Sequence, residues 1–158
     1  MEVAIGSGNN FSFYRRDIEL TGLDFSHEML KAAQKEAKKY PFKVTLIQND
    51  VEKVEFNKNS FDTIISSCSL CAYQDPVTVL NNFREWCKPE GEILMMEHGL
   101  STNKLLAGLQ KTLDPLALKA VGCHQNRNIS DYVNQSRLKL VKEERYLAGC
   151  LYLIWAKP

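Results

Sequence analysis

The chain has 158 residues and no apolar run long enough to cross a bilayer, so no membrane-spanning segment is expected. Neither charge is in excess: 20 Lys+Arg face 19 Asp+Glu, a formal net charge of +1. A phosphate-backbone partner usually leaves a basic stripe, so no nucleic-acid partner is expected. The five cysteines, Cys68, Cys71, Cys87, Cys123 and Cys150, are odd in number, and several sit in apolar stretches. That argues against a disulfide framework and fits reduced thiols in a cytoplasmic protein. Cys68-x-x-Cys71 has no second Cys or His pair at ligand spacing, so no metal ligand is assigned. Repeats, low-complexity tracts and linkers are absent too, and residues 1–158 read as one domain with a single core. The first residues already read as a buried strand, so no leader peptide is expected.

What is present is an alternation of short apolar runs with amphipathic stretches, which predicts an α/β fold: a mostly parallel sheet flanked by helices. Glu2-Val3-Ala4-Ile5 reads as the tail of a first strand, and Ile18 to Asp24 as a second. Ser26 can cap a helix running to about Lys39, with Met29, Leu30, Ala33 and Ala37 on one face. Lys43 to Gln48 and Phe61 to Ser67 read as the third and fourth strands. A helix from Pro76 is expected to turn Val77, Leu80, Phe83 and Trp86 inward. Pro89-Glu90-Gly91 reads as a turn before a fifth strand, Glu92 to Glu97. Asn103 to Leu113 can be helical, and Asp114-Pro115 is expected to break or restart it. Its leucines fit either an apolar acceptor wall or plain core. A short helix over Ile129 to Ser136 precedes two strands, Leu138 to Glu144 and Leu151 to Ala156. With no helix between them, these two predict an antiparallel hairpin at a sheet edge.

Glu2-x-Ala4-x-Gly6-x-Gly8 follows the first strand. Glycines there let the backbone turn tightly and approach a ligand, and a following helix N-terminus would offer free N–H groups. A dinucleotide loop would carry a third glycine where Phe11 stands. Asp24 closes the second strand and suits the two hydroxyls of a ribose, although a helix-capping role beside Ser26 is equally open. Asn49-Asp50-Val51 follows the third strand, in position to meet an adenine, or simply to form a turn.

With Phe61-Asp-x-Ile-Ile65 on the fourth strand and Lys88-Pro-Glu-Gly91 before the fifth, this set resembles the class I S-adenosylmethionine-dependent methyltransferases. The nearest branch is the ubiquinone/menaquinone-biosynthesis-like one, and within it the chain is similar to small phospholipid and thiol methyltransferases. Gly6 to Tyr14, Ser69-Leu-Cys71 and Met96-Glu-His98 carry the narrower likeness. The resemblance implies a doubly wound, Rossmann-like, seven-stranded sheet in the order 3-2-1-4-5-7-6, with strand seven antiparallel. It implies S-adenosylmethionine as cofactor and S-adenosylhomocysteine as product. The implied cofactor-binding residues are Glu2, Ala4, Gly6, Gly8, Asn10, Asp24, Phe25, Met29, Asn49, Asp50, Val51, Ser67, Cys68 and Ser69. Ala4 replaces the family's first glycine, which is tolerable if its φ stays negative. Relatives carry a helical lid ahead of the first strand. This sequence does not contain one, so an open cleft, weaker cofactor binding or a homo-oligomer formed through the uncovered N-terminal side is expected.

Methyl transfer from a sulfonium is an in-line displacement with an already activated leaving group, so alignment and exclusion of water matter more than a base. His98 is the candidate base, with a hydrogen-bonded strand-end residue as the alternative. Tyr73, Glu97 and His124 are candidates for meeting the acceptor. Ser66-Ser-Cys-Ser69 occupies the place where amino-methylating nucleic-acid enzymes carry an Asn-Pro-Pro-Tyr-type tetrad. Together with the near-zero net charge, this points to a small molecule or a lipid head group as acceptor. A catalytically impaired cofactor-binding regulatory domain is the alternative, and an NAD-dependent oxidoreductase a further one.

Overall fold

The computed structural model describes residues 1–158. Seven strands and four α-helices follow the chain: β1 (Glu2–Val3), β2 (Glu19–Asp24), α1 (His27–Ala37), β3 (Lys43–Gln48), β4 (Phe61–Ser67), α2 (Pro76–Trp86), β5 (Cys87–His98), α3 (Lys104–Val121), α4 (Ile129–Gln135), β6 (Lys139–Tyr146) and β7 (Leu151–Lys157). The strand order is β3-β2-β1-β4-β5-β7-β6, the doubly wound, Rossmann-like order expected from the resemblance. Strand β7 runs antiparallel to both β5 and β6, so the terminal hairpin is present as read. The chain divides into two units, Met1–Phe56 and Asn57–Pro158.

In the first unit, β1, β2 and β3 pair in parallel. Ser26 caps α1 by accepting a bond from the Met29 N–H at 3.3 Å, satisfying one of the donors a helix start leaves open. The core gathers Ile5, Phe11, Leu20, Leu30, Ala33 and Phe42. Phe11 meets Tyr40 and Phe42 edge-on, with ring centroids 5.8 and 5.9 Å away. Two readings need correction. Met29 does not share the buried face of α1 but stands half-exposed, because Leu30 and Ala33 already fill that face. The helix expected after the glycine loop is only a 3₁₀ turn, Phe11–Phe13. The Phe11, Phe13 and Tyr14 N–H groups donate to the Gly8, Asn10 and Phe11 carbonyls, and so short a turn develops little of a helix macrodipole.

In the second unit, β4 and β5 pair in parallel with one irregularity. Phe61 pairs Cys87 and Thr63 pairs Glu92, so two steps along β4 match five along β5. Pro89 to Gly91, expected as a turn, is therefore part of an excursion, Lys88 to Gly91, within a strand that begins at Cys87. A 2.7 Å contact from Lys88 Nζ to Asp62 lies across it. Helix α2 starts at Asp75, whose carboxylate accepts from the Thr78 N–H, with Pro76 in the first turn where its missing N–H costs nothing. Its buried face is Pro76, Val79, Leu80, Phe83 and Trp86, so Val79 takes the place expected for Val77.

Helix α3 overrides the break expected at Asp114-Pro115 and runs to Val121, ending on Gly122 in the left-handed conformation. Asp114 is buried, and its carboxylate takes bonds from His124, the Gln125 N–H and the Asn126 N–H. That clamp outweighs the local disfavour of α backbone before proline. The helix leucines do not form core: Leu105, Leu109 and Leu116 are 87%, 54% and 65% exposed.

Ala4 corrects the last expectation, because its φ is +50°, not negative. A left-handed residue with a Cβ costs about 1–2 kcal/mol, more than the 0.5–1 kcal/mol of extra chain entropy that glycine loses on folding. Ala4→Gly should therefore raise the unfolding free energy by about 0.5–1 kcal/mol, read as a higher urea midpoint at unchanged slope. A lower midpoint would show that Ala4 carries no strain.

Candidate functional site

In open α/β sheets ligands gather beyond the carboxyl ends of the strands, and each unit carries polar groups there. In the first unit the central group is Asp24, buried at the end of β2. Its Oδ2 accepts the Gly6 N–H at 2.8 Å and its Oδ1 the Ser26 N–H at 2.9 Å. A carboxylate offers about four lone-pair sites, so one further bond remains available on each oxygen. The two readings of Asp24 combine: it braces the helix start and keeps the capacity to take two hydroxyls. Gly6 sits at φ +56° with open space where a Cβ would stand, so bare backbone faces that space. Gly8 sits at φ +83°, and a Cβ on it would come within 2.5 Å of the Phe11 ring. Phe11, in the place of a third glycine, fills the volume against Gly8 and makes Gly8 obligatory.

Glu2 is almost wholly buried. It accepts 2.7 Å bonds from the Asn10 amide and from the Tyr14 hydroxyl. Burial pushes its carboxyl above the ordinary value against the pull of these bonds, and burial beside Glu2 pushes the Tyr14 hydroxyl upward. Glu2 and Asn10 thus act on the loop itself. Tyr14 completes their network, and nothing in its sequence position announced that role. The Asn49 N–H donates to the Asp24 carbonyl at 3.1 Å, joining the ends of β2 and β3. Asp50 accepts from the Glu52 N–H at 3.0 Å, which holds its carboxyl below the usual range. Val51 is buried, whereas Phe25 and Met29 are exposed next to Asp24.

In the second unit Glu97, on β5, has no exposed surface. Its Oε1 accepts from the Ser66 hydroxyl at 2.6 Å, and its Oε2 from the N–H groups of Ser69 and Leu70 at 2.8 and 3.1 Å. When Glu97 is ionised, Ser66 gives its one hydrogen to the carboxylate and the Ser69 hydroxyl donates to Ser66 across their 2.8 Å contact. The expectation that Glu97 meets the acceptor is thus corrected: it is sealed beneath the turn that follows β4. Ser69 is likewise buried, Cys68 is exposed at φ +52°, and Tyr73 lies buried.

Side chains alternate along a strand, so His98 cannot share the environment of Glu97. Its imidazole Nε2 lies 3.7 Å from the Cys123 sulfur, with no carboxylate to orient it, and burial lowers its pKa below the ordinary value. Burial, with Cys123 beside it, pushes the Cys71 thiol upward. His124 bonds Asp114 through Nδ1 at 2.7 Å and so serves the loop after α3. Burial raises the Asp114 carboxyl, but its bonds from His124, Gln125 and Asn126 outweigh that and hold it below the usual range.

Residues 1–95 match the family profile described as a methyltransferase domain. The chain belongs to that family. Its cofactor is S-adenosylmethionine, and the free acceptor positions on Asp24 and the bare backbone at Gly6 fit such a ligand. Over 99% of its length this methyltransferase domain is 31% identical to "Methyltransferase OMS1, mitochondrial" of Saccharomyces cerevisiae, covering 37% of that protein. Over 96% of its length it is 26% identical to the phosphatidylethanolamine N-methyltransferase of Cereibacter sphaeroides, covering 75% of it. The chain thus spans little more than a third of the yeast relative and three quarters of the bacterial one. An S-adenosylmethionine-dependent methyltransferase from Mesorhizobium loti superposes with a TM-score of 0.76 over 99% of this chain and 89% of that one, at 14% identity. That likeness is one of fold.

Burial carries the Glu97 carboxyl from its ordinary value of 4.5 to about 7, against the bonds from Ser66, Leu70 and Ser69. A raised carboxyl pKa means that the folded state holds a proton the unfolded state has released. Stability therefore falls as pH rises from about 4.5 through about 7. In Glu97→Gln the amide oxygen can still accept both backbone N–H groups, while the amide nitrogen donates to Ser66. The variant should fold and should lose this pH dependence, which is of order 2 kcal/mol between about pH 5 and about pH 8. Equal slopes for the two proteins in urea titrations across that range would refute the assignment.

Proposed function

We propose that this chain transfers a methyl group from S-adenosylmethionine to a small-molecule or lipid head-group acceptor, at a thiol, amine or carbon atom. The observation that carries this is the Gly6–Asp24 bond, which locks the glycine loop to the strand-end acid and leaves the acid free to hold a ribose. The phosphatidylethanolamine N-methyltransferase named above supports a lipid amine as the first acceptor to test. The five free thiols accord with a reducing, cytoplasmic setting, and no helix is long and apolar enough to cross a membrane.

When bound, the cofactor supplies a methyl group on a positively charged sulfur, which needs no further activation. The chain has to hold the ligand and keep the nucleophile in line with the methyl. Asp24 would grip the ribose, and Asn49, Asp50 and Val51 would border the adenine. Phe25 and Met29 would lie against its exposed flank. His98, kept neutral by burial, can take a proton from a thiol or ammonium acceptor. Tyr73 and His124 remain candidates for shaping the acceptor side, and both flank the turn after β4 or the loop after α3. A homo-oligomer formed through the N-terminal side would shield the exposed Phe25 and Met29.

S-adenosylmethionine should raise the thermal midpoint and NAD should not, because only a ligand bound by the folded state stabilises it. Asp24→Asn, which keeps one acceptor oxygen and loses the charge, should fold and bind S-adenosylmethionine about tenfold more weakly, since hydrogen bonds to charged groups contribute roughly 1.5–3 kcal/mol. Labelled methyl should pass to phosphatidylethanolamine vesicles or to small thiols and amines. Binding without transfer to any of these would favour the regulatory reading instead.

A further inference from the structure

The turn after β4, the end of β5 and the loop after α3 bring together three side chains that lie far apart in the sequence: Cys71, His98 and Cys123. Their ligand atoms all lie within 4.8 Å of one another. We propose that these three residues form a binding site for a soft divalent transition-metal cation, zinc by preference. The site uses none of the residues assigned to the cofactor, and a cation held there would take the His98 imidazole away from the role of free base.

One edge of the cluster matches a tetrahedral face, and the other two lie within 4.8 Å. With zinc–sulfur bonds of about 2.3 Å and zinc–nitrogen bonds of about 2.0 Å, a tetrahedral site has S···N edges of roughly 3.5 Å and S···S edges of roughly 3.8 Å. Cys123 Sγ and His98 Nε2 stand 3.7 Å apart. That is long for a hydrogen bond between ordinary partners and close to such an edge. Two thiolates and an imidazole are also the donor set that prefers zinc over magnesium or calcium, which take oxygen ligands.

The three ligands are held in place by backbone bonds. The His124 N–H donates to the Cys71 carbonyl at 3.1 Å, and the Arg127 guanidinium donates to the Leu70 carbonyl at 2.6 Å. The loop that carries Cys123 is thereby fastened at two points beyond it, His124 and Arg127, to the turn that carries Cys71. Asp114 fixes the same loop through its bonds to the N–H groups of Gln125 and Asn126. The Gln125 amide donates to the Cys123 sulfur at 3.2 Å, the kind of outer contact that orients a metal-bound thiolate. Cys71 is buried, while His98 and Cys123 are only partly so, which leaves an approach for the cation and for a fourth ligand. Three protein ligands with an open vertex is the pattern of a reactive zinc rather than a purely structural one. On binding, each thiol releases its proton to solvent as the sulfur–metal bond forms.

The test uses the full chain, reduced, stripped of metal by chelation and kept free of oxygen. It is titrated with Zn²⁺ against a chromophoric chelator, and separately with Co²⁺. One equivalent of Zn²⁺ should bind, and Co²⁺ should show thiolate-to-cobalt charge transfer with tetrahedral ligand-field bands. Cys123→Ser and His98→Gln replace partly exposed side chains, so circular dichroism should report an intact fold. Each should weaken Zn²⁺ by roughly a hundredfold or more, beyond the 10–100-fold typical of an outer contact, and Gln125→Ala should fall within that smaller range. Cys150→Ser, whose thiol lies outside the cluster, should change nothing. Failure to take up Zn²⁺, a cobalt spectrum without thiolate charge transfer, or equal loss in Cys150→Ser would overturn the proposal. So would a reduced chain that ignores Zn²⁺ and forms a Cys71–Cys123 disulfide when oxidised.

Discussion

A carboxylate with no solvent contact has to find its hydrogen bonds inside the protein, and Glu97 finds them at the end of β4 and in the turn that follows it. An unsatisfied buried charge would cost several kcal/mol, so the turn and the strand beneath it are fixed as one piece. When Glu97 is ionised, it claims the Ser66 hydrogen and Ser66 accepts from Ser69. The position of Cys71 and the docking of the loop after α3 follow from the same turn. Burial raises the Glu97 pKa toward neutrality, so this arrangement carries its own pH dependence.

The first unit uses the same device twice. Asp24 ties the glycine loop to the start of α1, and Glu2 ties the loop's far side to Asn10 and Tyr14. Neither acid is a free ligand-binding arm. Each holds backbone or side-chain donors in position, and Asp24, the less buried of the two, keeps one further acceptor site on each oxygen. Phe11 supplies the apolar counterpart by packing against Gly8, Tyr40 and Phe42. A loop braced by two carboxylates and one ring is preorganised, which lowers the ordering cost of binding.

Much of the fold was legible because periodicity and turn chemistry act locally. The alternation of strands and helices, the cap at Ser26, the acid at the end of β2 and the terminal hairpin all follow from residues close together in sequence. The failures have one cause. Asp114-Pro115 reads as a break until the carboxylate of Asp114 meets His124 and two N–H groups ten or so residues further on. Pro89 to Gly91 reads as a turn until β4 pairs with Cys87 and Glu92 on either side of it. Met29 reads as core until Leu30 and Ala33 occupy the same face. In each case a contact from elsewhere in the chain outweighed a local preference of about 1 kcal/mol.

The site divides along the same line. The sequence by itself determined the family, because loop, strand-end acid and Asn-Asp pair keep a fixed spacing that needs no tertiary knowledge to read. It also determined the near-neutral charge and the unpaired, odd set of thiols. Only the tertiary structure decided which acids are braces and which can still accept a ligand, since exposure and lone-pair occupancy depend on what packs around each group. It alone separated Glu97 from His98, neighbours in sequence that a strand sends to opposite environments. It alone brought Cys71, His98 and Cys123 together, because three segments without any ligand spacing between them converge only when the turn after β4, the end of β5 and the loop after α3 are docked.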